Sequence, residues 1–484
     1  LGLPYLDLIS IKVPTEVKAM QLVPQEVAEK ALLVPLQLVQ KKLNVAAFDS
    51  SLPEAKKIID ELKKKYEVNI FIVSLSSLKH AWNYYQYVIL ETKEISGRVE
   101  INEENLEKIK KSVRTLKELG ESIKNFKSPL TSEVLEIILG GGLALKASDI
   151  HLEPAAKNGS LRFRIDGLLH AVTDEILEKI YRSIITRVKL LSKLKINIVD
   201  EAQDGRFTIN LHDRNIEIRT SIIPSEYGET IVMRLLDPTA LKVNLEELGW
   251  REDDLAIVKE EVKKPNGLIL NTGPTGSGKT TTLYAFLQYV QKPEIKIITV
   301  EDPIEYHLDG ISQTQVDPEA KYTFASGLRS ILRQDPNVIL VGEIRDKETA
   351  EIALNAALTG HIVFSTLHTN DAVGAIPRLI DLEVKPQVLG PALSLIIAQR
   401  LVRLLCSHCK KPKKVDGKIT ELIKKFVSGL PNRVNKEKFS NIALFESVGC
   451  DKCGNLGYRD RTSIFELFVV NEKIEEAIYK NPTE

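Results

Sequence analysis

The run Gly273-Pro274-Thr275-Gly276-Ser277-Gly278-Lys279-Thr280 fits the phosphate-binding pattern G-x-x-x-x-G-K-[ST] at every fixed position. Residues 267–270 before it read as a buried strand, and residues 281–288 after it, beginning with Thr281, read as a helix. In that strand–loop–helix setting the glycines let the backbone curl. Successive N–H groups and the helix N-terminus then face an anion. Lys279 is expected to reach the β- and γ-phosphates of a nucleoside triphosphate, and Thr280 to offer its hydroxyl to Mg²⁺. The alternative is a glycine-rich turn that caps a helix and binds nothing. The strand and helix on either side favour the triphosphate site.

Three later segments carry groups suited to the same chemistry. Residues 297–305 form an apolar strand ending in Glu301, Asp302 and Glu305. Residues 338–346 form another, ending in Glu343, where a carboxylate can order Mg²⁺ or polarise water. Residues 360–371 place His361 and His368 at the two ends of a third. Each motif alone is weak, because strands commonly end in polar residues and a histidine is more often structural than catalytic; their conjunction is strong. Arg329 and Arg333 share one helix face, while Arg219 and Arg234 fall on strands of the preceding region. They are candidates for stabilising charge on a transferring phosphoryl group, against the alternative of surface ion pairs.

Toward the C-terminus, Cys406-Ser-His-Cys409 and Cys450-Asp-Lys-Cys453 make two C-x-x-C pairs that hold all four cysteines. This spacing suits tetrahedral Zn²⁺ with Cys406, Cys409, Cys450 and Cys453 as ligands and with His408 as a possible substitute. Such a site is closed, so the metal would brace a subdomain and not catalyse. A redox C-x-x-C is the competing reading.

Further out, the 484 residues predict more than one domain. Residues 1–95 read as a small α/β module, with helices over 24–31 and 55–65 and strands over 34–38, 44–48 and 68–73. Residues 96–129 are highly charged, with Leu106, Ile109, Val113, Leu116 and Leu119 at helical spacing and Pro129 at the far end. They predict one amphipathic connector helix, solvated along its length. Residues 130–240 read as a second α/β unit. Residues 241–484 carry the loop on a mostly parallel sheet, with the cysteine subdomain over 400–460. The 66 basic residues balance 66 acidic ones, which argues against a general nucleic-acid coat or polybasic membrane binder, local patches aside. No apolar run reaches the length of a membrane span. A cytoplasmic protein that meets membranes through partners is expected, and the opening on Leu1 in place of Met suggests a trimmed start.

In order, the loop, Val-Glu-Asp-Pro-Ile-Glu, Leu-Arg-Ser-Ile-Leu-Arg-Gln-Asp-Pro, Val-Gly-Glu-Ile-Arg-Asp and Ser-Thr-Leu-His-Thr-Asn-Asp resemble the type II secretion and type IV pilus assembly ATPases. The resemblance implies an α/β chain: a RecA-like P-loop NTPase domain preceded by a PAS-like α/β domain and a small N-terminal partner-binding domain. It implies ATP, Mg²⁺ and Zn²⁺ as cofactors and nucleotide contacts through Gly273, Pro274, Thr275, Gly276, Ser277, Gly278, Lys279, Thr280 and Thr281. Glu301, Asp302 and Glu305 would form an acidic box that positions or deprotonates water. Glu343 would stand in for the Walker B acid, and His361 with His368 would sense the γ-phosphate. Arg219, Arg234, Arg329 and Arg333 match arginines that contact phosphates or neighbouring subunits. A homo-hexamer is implied whose preceding domain closes on nucleotide and drives an inner-membrane platform protein, together with a cytoplasmic assembly protein. The chain would sit peripheral to the inner membrane through partners, without inserting. The stretch after Asn471 is shorter than the family's, so ring contacts made there are expected to be missing. The Arg-Leu-Gly pattern that would bind a cyclic dinucleotide is absent from the 484 residues, so that ligand is not expected. A nucleic-acid motor of the same fold, as in DNA uptake, and a scaffold that binds nucleotide without turnover remain as alternatives. No nucleic-acid partner is expected.

Overall fold

The computed structural model describes the chain apart from residues 1–2, 10–16, 86–97, 101–107, 110–111, 126–130, 212–213, 241–242, 415, 440–442 and 481–484. It divides into two units, Leu1–Asp237 and Pro238–Glu484.

The first unit opens with strands β1 (Leu33–Val39) and β2 (Lys42–Ala47), paired antiparallel, and β3 (Glu67–Ile72), parallel to β2. Helix Pro53–Lys63 buries Ala55, Ile59 and Leu62, three positions at helical spacing, and so makes the parallel crossover. Helix Leu75–Trp82 is capped by Ser74, which accepts from the Ser77 amide. Met20, Leu33, Leu36, Leu43 and Tyr85 fill the core of this module.

A larger sheet follows in the order β4-β8-β9-β10-β5-β6-β7. Its strands are β4 (Arg98–Glu100), β5 (Asp149–Pro154), β6 (Asn158–Ile165), β7 (Leu168–Leu177), β8 (Gln203–Asn210), β9 (Asn215–Ser225) and β10 (Gly228–Leu236). Buried and half-buried residues alternate strictly along β6, the mark of a sheet packed on one face. Helix Glu178–Leu191 buries Ile184, Val188 and Leu191. It also carries Lys189, whose buried ammonium pairs with the buried Glu229 carboxylate and donates to the Ile198 carbonyl at 2.6 Å.

The charged stretch over 98–128 departs from the single solvated helix predicted for it. Arg98–Glu100 form β4, parallel to β8; residues 108, 109 and 112 are helical, and a separate helix runs over Leu116–Lys124. Thr115 starts it with a capping box: its hydroxyl accepts from the Glu118 amide, and the Glu118 carboxylate accepts from the Thr115 and Arg114 amides. Val113, Leu119 and Ile123 are buried, so the segment packs on the sheet. Leu106 and Pro129 lie outside the described residues.

The second unit is built on a sheet in the order β13-β12-β14-β15-β11-β16-β19. The strands are β11 (Gly267–Thr272), β12 (Ile297–Glu301), β13 (Ser312–Gln315), β14 (Val338–Val341), β15 (Ile362–Leu367), β16 (Leu393–Leu405) and β19 (Tyr458–Val469). All pairs are parallel except β16 with β19. β11, β12, β14 and β15 are buried at every position, as expected for strands covered on both faces. β16 and β19 run on past this core toward the cysteines, where β17 (Lys411–Lys413) and β18 (Leu444–Glu446) form a small antiparallel pair.

Gly120 marks how tightly the 116–124 helix sits on β7. A Cβ at that position would lie 2.4 Å from the Val172 carbonyl oxygen, which is backbone and cannot swing aside. Gly120→Ala should therefore destabilise the first unit by about 1–3 kcal/mol. A urea unfolding midpoint unchanged from the parent would disprove this packing.

Candidate active site

Each strand that leads into a chemistry-bearing motif is parallel to β11, so the motifs gather beyond one edge of the sheet, the edge where open α/β sheets bind ligands. β11 ends at Thr272, and the phosphate loop follows before helix Lys279–Val290. Gly273, Gly276 and Gly278 all have positive φ, at 148°, 77° and 91°. A Cβ on Gly273 would lie 2.6 Å from the Gln399 carbonyl oxygen. One on Gly278 would lie 2.8 Å from the Gln399 side-chain nitrogen. Lys279 donates to the Gly273 and Pro274 carbonyls at 2.8 and 3.1 Å, which holds its ammonium at the loop. Burial pushes that ammonium's pKa down and Arg400 adds to the fall, while Glu343 opposes it. The Ser277 hydroxyl is buried and has no hydrogen-bond partner, as befits a loop whose polar complement lies outside the chain. The Thr275 and Thr280 side chains are exposed, and Thr281 is half-buried. A cleft of about 170 Å³ opens between Gly273, Pro274 and the turn His368–Asn370.

That turn is clamped to β11. The Thr369 amide donates to the Thr272 hydroxyl at 2.8 Å, and the two threonine hydroxyls lie 2.7 Å apart. Arg400 adds a bond from its guanidinium to the Asn370 carbonyl at 2.6 Å. His368 is thereby held with Nε2 3.5 Å from a Glu343 oxygen, while the other Glu343 oxygen pairs with Arg345. Glu343 is placed by its neighbours, since the Gly342 amide donates to the Val300 carbonyl and the Thr366 hydroxyl to the Gly342 carbonyl, each at 2.8 Å. Asp302 is exposed and acts electrostatically on Arg345, so it lies on this side of the edge.

Glu301 does not join them. Its side chain is buried and accepts from Tyr284 of the loop's own helix, from Thr299 and from Gln313. Burial pushes the Glu301 carboxyl up, against the pull of those three bonds, and Glu305 adds to the rise. Of the three acids expected to form an acidic box, Glu301 is the buried one. Glu305 is half-buried.

His361 lies at the end of its strand away from this edge. It precedes β15, its carbonyl accepts from the Gly267 amide at the start of β11, and its ring Nδ1 lies 3.0 Å from the Ala356 carbonyl. The six residues of β15 separate it from His368, roughly 20 Å. The two histidines therefore do not meet one phosphate within this chain. Arg329 pairs with Glu348, and Arg333 bonds back to the Arg329 carbonyl and the Ser330 hydroxyl. In the first unit, Arg234 and Arg219 are register partners on β10 and β9. Arg234 bonds Asp149 at 2.9 Å and Arg219 approaches Glu217 at 3.4 Å. Arg345, Arg400, Tyr284 and Gln313 are site residues that the sequence reading passed over. Only Arg345 had a local signal, lying two residues after Glu343.

The four cysteine sulfurs lie within 4.8 Å of one another. Measured separations are 4.0 Å for Cys406–Cys450, 3.8 Å for Cys409–Cys453 and 3.8 Å for Cys450–Cys453. A tetrahedron of sulfurs around one Zn²⁺ at ~2.3 Å has edges of about 3.8 Å, so the cluster fits the ion. Amides of Gly449, Cys450 and Gly457 donate to these sulfurs at 3.2–3.3 Å, which favours thiolates.

The family model described as type II/IV secretion system protein matches residues 126–484, and an MshEN domain model matches residues 1–91. The type II secretion system ATPase E of Vibrio cholerae is 45% identical over 352 residues, 73% of this chain and 68% of that protein. The type IV pilus assembly ATPase PilB of Myxococcus xanthus is 38% identical over 482 residues, 99% of this chain and 81% of that protein. Among solved structures, the Legionella pneumophila ATPase DotB shares the fold, with a TM-score of 0.52 at 21% identity over 73% of this chain and 85% of that one. With a triphosphate loop, an acid and a histidine assembled at one edge of a RecA-like sheet, the chain belongs to the type II/IV secretion ATPase family, and its reaction is the hydrolysis of ATP.

Proposed function

We propose that the chain is one subunit of a homo-hexameric motor that hydrolyses ATP to extend a type IV pilus or a type II secretion pseudopilus. The observation that carries the reading is the convergence of Lys279, Glu343, Arg345 and His368 beyond one sheet edge. Lys279 and the loop amides would bind the β- and γ-phosphates. Glu343 would take a proton from the attacking water as the γ-phosphorus gains that oxygen and loses its bond to the β-phosphate oxygen. His368 and Arg345 would hold the Glu343 carboxylate in place and register the γ-phosphate. Hard oxygen donors are present for Mg²⁺ in the exposed Thr280 hydroxyl and in Asp302 and Glu343. When bound, the ion would neutralise charge building on the phosphate oxygens. Glu301 would be a positioning residue that ties β12 to the loop's helix through Tyr284.

The cleft is smaller than the ~300 Å³ at which small-molecule pockets begin, so it would take the phosphates and leave base and ribose to other groups. Arg219, Arg234, Arg329 and Arg333 are proposed as phosphate or neighbour-subunit contacts, and His361 as a structural residue. Cys406, Cys409, Cys450 and Cys453 would hold one Zn²⁺ that braces its subdomain. Domain limits of 1–95, 96–129, 130–240 and 241–484 are proposed. The partners would be an inner-membrane platform protein and a cytoplasmic assembly protein, with the motor cytoplasmic and peripheral to the inner membrane. Pilus assembly draws support from the likeness to PilB through 99% of the chain, including the N-terminal module.

Lys279→Ala should abolish ATP binding. Glu343→Gln should retain binding but lose ~10²–10⁴-fold in kcat, with thermal unfolding unchanged. Steady-state phosphate release near the parental rate in both variants would remove the site. Tyr284→Phe leaves one oxygen of the buried Glu301 carboxyl without its donor, so it should cost about 1–3 kcal/mol of stability. Glu301→Gln should keep kcat within about tenfold of the parent; a loss matching that of Glu343→Gln would make Glu301 the base instead. Elemental analysis should find one zinc per chain, lost in Cys450→Ser. Metal-free protein with an intact subdomain would refute the metal assignment.

A further inference from the structure

Five residues of the first unit stand in one line across its larger sheet. Arg164 on β6 is the register partner of Asp149 on β5, Asp149 of Arg234 on β10, Arg234 of Arg219 on β9, and Arg219 of Arg206 on β8. Their neighbours along the strands, Phe163, Ile150, Met233, Ile218 and Phe207, are buried in the core. Side chains alternate along a strand, so the five share the opposite face. Four guanidiniums and one carboxylate thus meet there. Arg234 lies directly opposite Arg219, and Arg219 opposite Arg206. Like charges so paired destabilise a sheet, and an anion laid over them relieves the repulsion.

The acids on this face hold the arginines unequally. Glu217, two residues before Arg219, is part-exposed and reaches Arg219 at 3.4 Å and Arg206 only at 3.9 Å. Asp149 is 4% exposed. One of its oxygens accepts from Arg234 Nε at 2.9 Å. The other accepts from the Ser148 hydroxyl at 2.9 Å and faces Arg164 Nε at 3.3 Å. Arg164 is itself tied down, donating from a terminal nitrogen to the Gly167 carbonyl at 3.2 Å. The Arg234 side chain, by contrast, is 57% exposed. Its bond to Asp149 uses Nε, which sets the guanidinium plane and leaves both terminal nitrogens, the fork suited to phosphate, outside that bond.

We propose that Asp149 is a positioning residue for ATP hydrolysis: pinned by Ser148 and Arg164, it holds the Arg234 guanidinium ready for the transferring phosphate. The inference rests on the reading of Arg234 as a phosphate contact and names the group that orients it. A long, exposed arginine samples many rotamers, and ordering it at the moment of reaction costs entropy that Asp149 removes in advance. Removing the carboxylate should therefore lower kcat. It should not raise the KM for ATP, because the row then loses a negative charge and attracts a polyanion no less. Asp149 touches no phosphate in this scheme and acts only through Arg234.

The test is a double-mutant cycle on the full chain, read as steady-state ATP hydrolysis with Mg²⁺ over a range of ATP concentrations. Arg234→Ala and Asp149→Ala should each lower kcat at least ~tenfold, and Asp149→Ala should leave the KM for ATP no higher. The double variant should lose no more than Arg234→Ala alone. Asp149→Asn keeps the shape but sets an amide NH2 against one guanidinium, so it serves where the alanine variant fails to fold. It should lose less than Asp149→Ala and likewise add nothing to Arg234→Ala. Losses that add, or parental kcat in both Asp149 variants, overturn the proposal while Arg234 keeps its role. Parental kcat in Arg234→Ala overturns both. If gel filtration shows kcat falling only in step with loss of assembly, the row is a subunit contact and the positioning role fails.

Discussion

The carbonyl and the side-chain amide of Gln399 press on the phosphate loop at the two places, Gly273 and Gly278, where a side chain would be in the way. The same amide is spoken for at both ends. Its oxygen accepts from Asn271 at 2.8 Å and Thr282 at 2.9 Å, and its nitrogen donates to Ser463 at 3.0 Å. Asn271 stands just before the loop, Thr282 is in the helix after it, and Ser463 belongs to β19. All four side chains are buried, where a missing partner costs about 1–3 kcal/mol, so the network specifies one arrangement of strand, loop and helix. The loop is held in its curl from below, and its amides can face outward without reorganising when an anion arrives.

With the loop fixed, the rest of the edge is a matter of register. β15 is parallel to β11 with Thr272 opposite Leu367, which brings the next residue, His368, level with Gly273. β14 reaches Val341 opposite Ser365, so Glu343 emerges beside that histidine. Charge then does what geometry allows: a carboxylate flanked by a guanidinium and an imidazole, with an ammonium near enough to feel it, is a set of groups that a triphosphate and its water can enter with little rearrangement.

Much of this was legible because it is local. The loop, its strand and its helix are contiguous, and unbroken apolar runs announce strands buried on both faces. What escaped was long-range. Gln399 lies 128 residues from Asn271, and no periodicity links them. Glu301 and Asp302 are adjacent acids with opposite fates, because side chains alternate along a strand; Glu301 turns under the sheet edge toward Tyr284. That His361 opens the strand His368 follows was legible in the sequence; the length of that strand keeps the two rings apart. The connector over 98–128 shows two signals in competition. Its apolar spacing suggested one long helix, yet Thr115 and Glu118 spell a capping box, and the cap won.

β16 and β19 stay paired from Leu395 opposite Val469 out to Leu405 opposite Tyr458, and Cys406 follows directly, its amide bonded to the Gly457 carbonyl. The four thiols therefore sit like a rivet at the free end of a stiff two-ply beam whose middle carries Gln399 and Ser463. Such a beam resists stretching along its length. A tug on the riveted tip would be felt at the nucleotide loop, and the small subdomain becomes a handle by which something outside the sheet could bear on the fuel site.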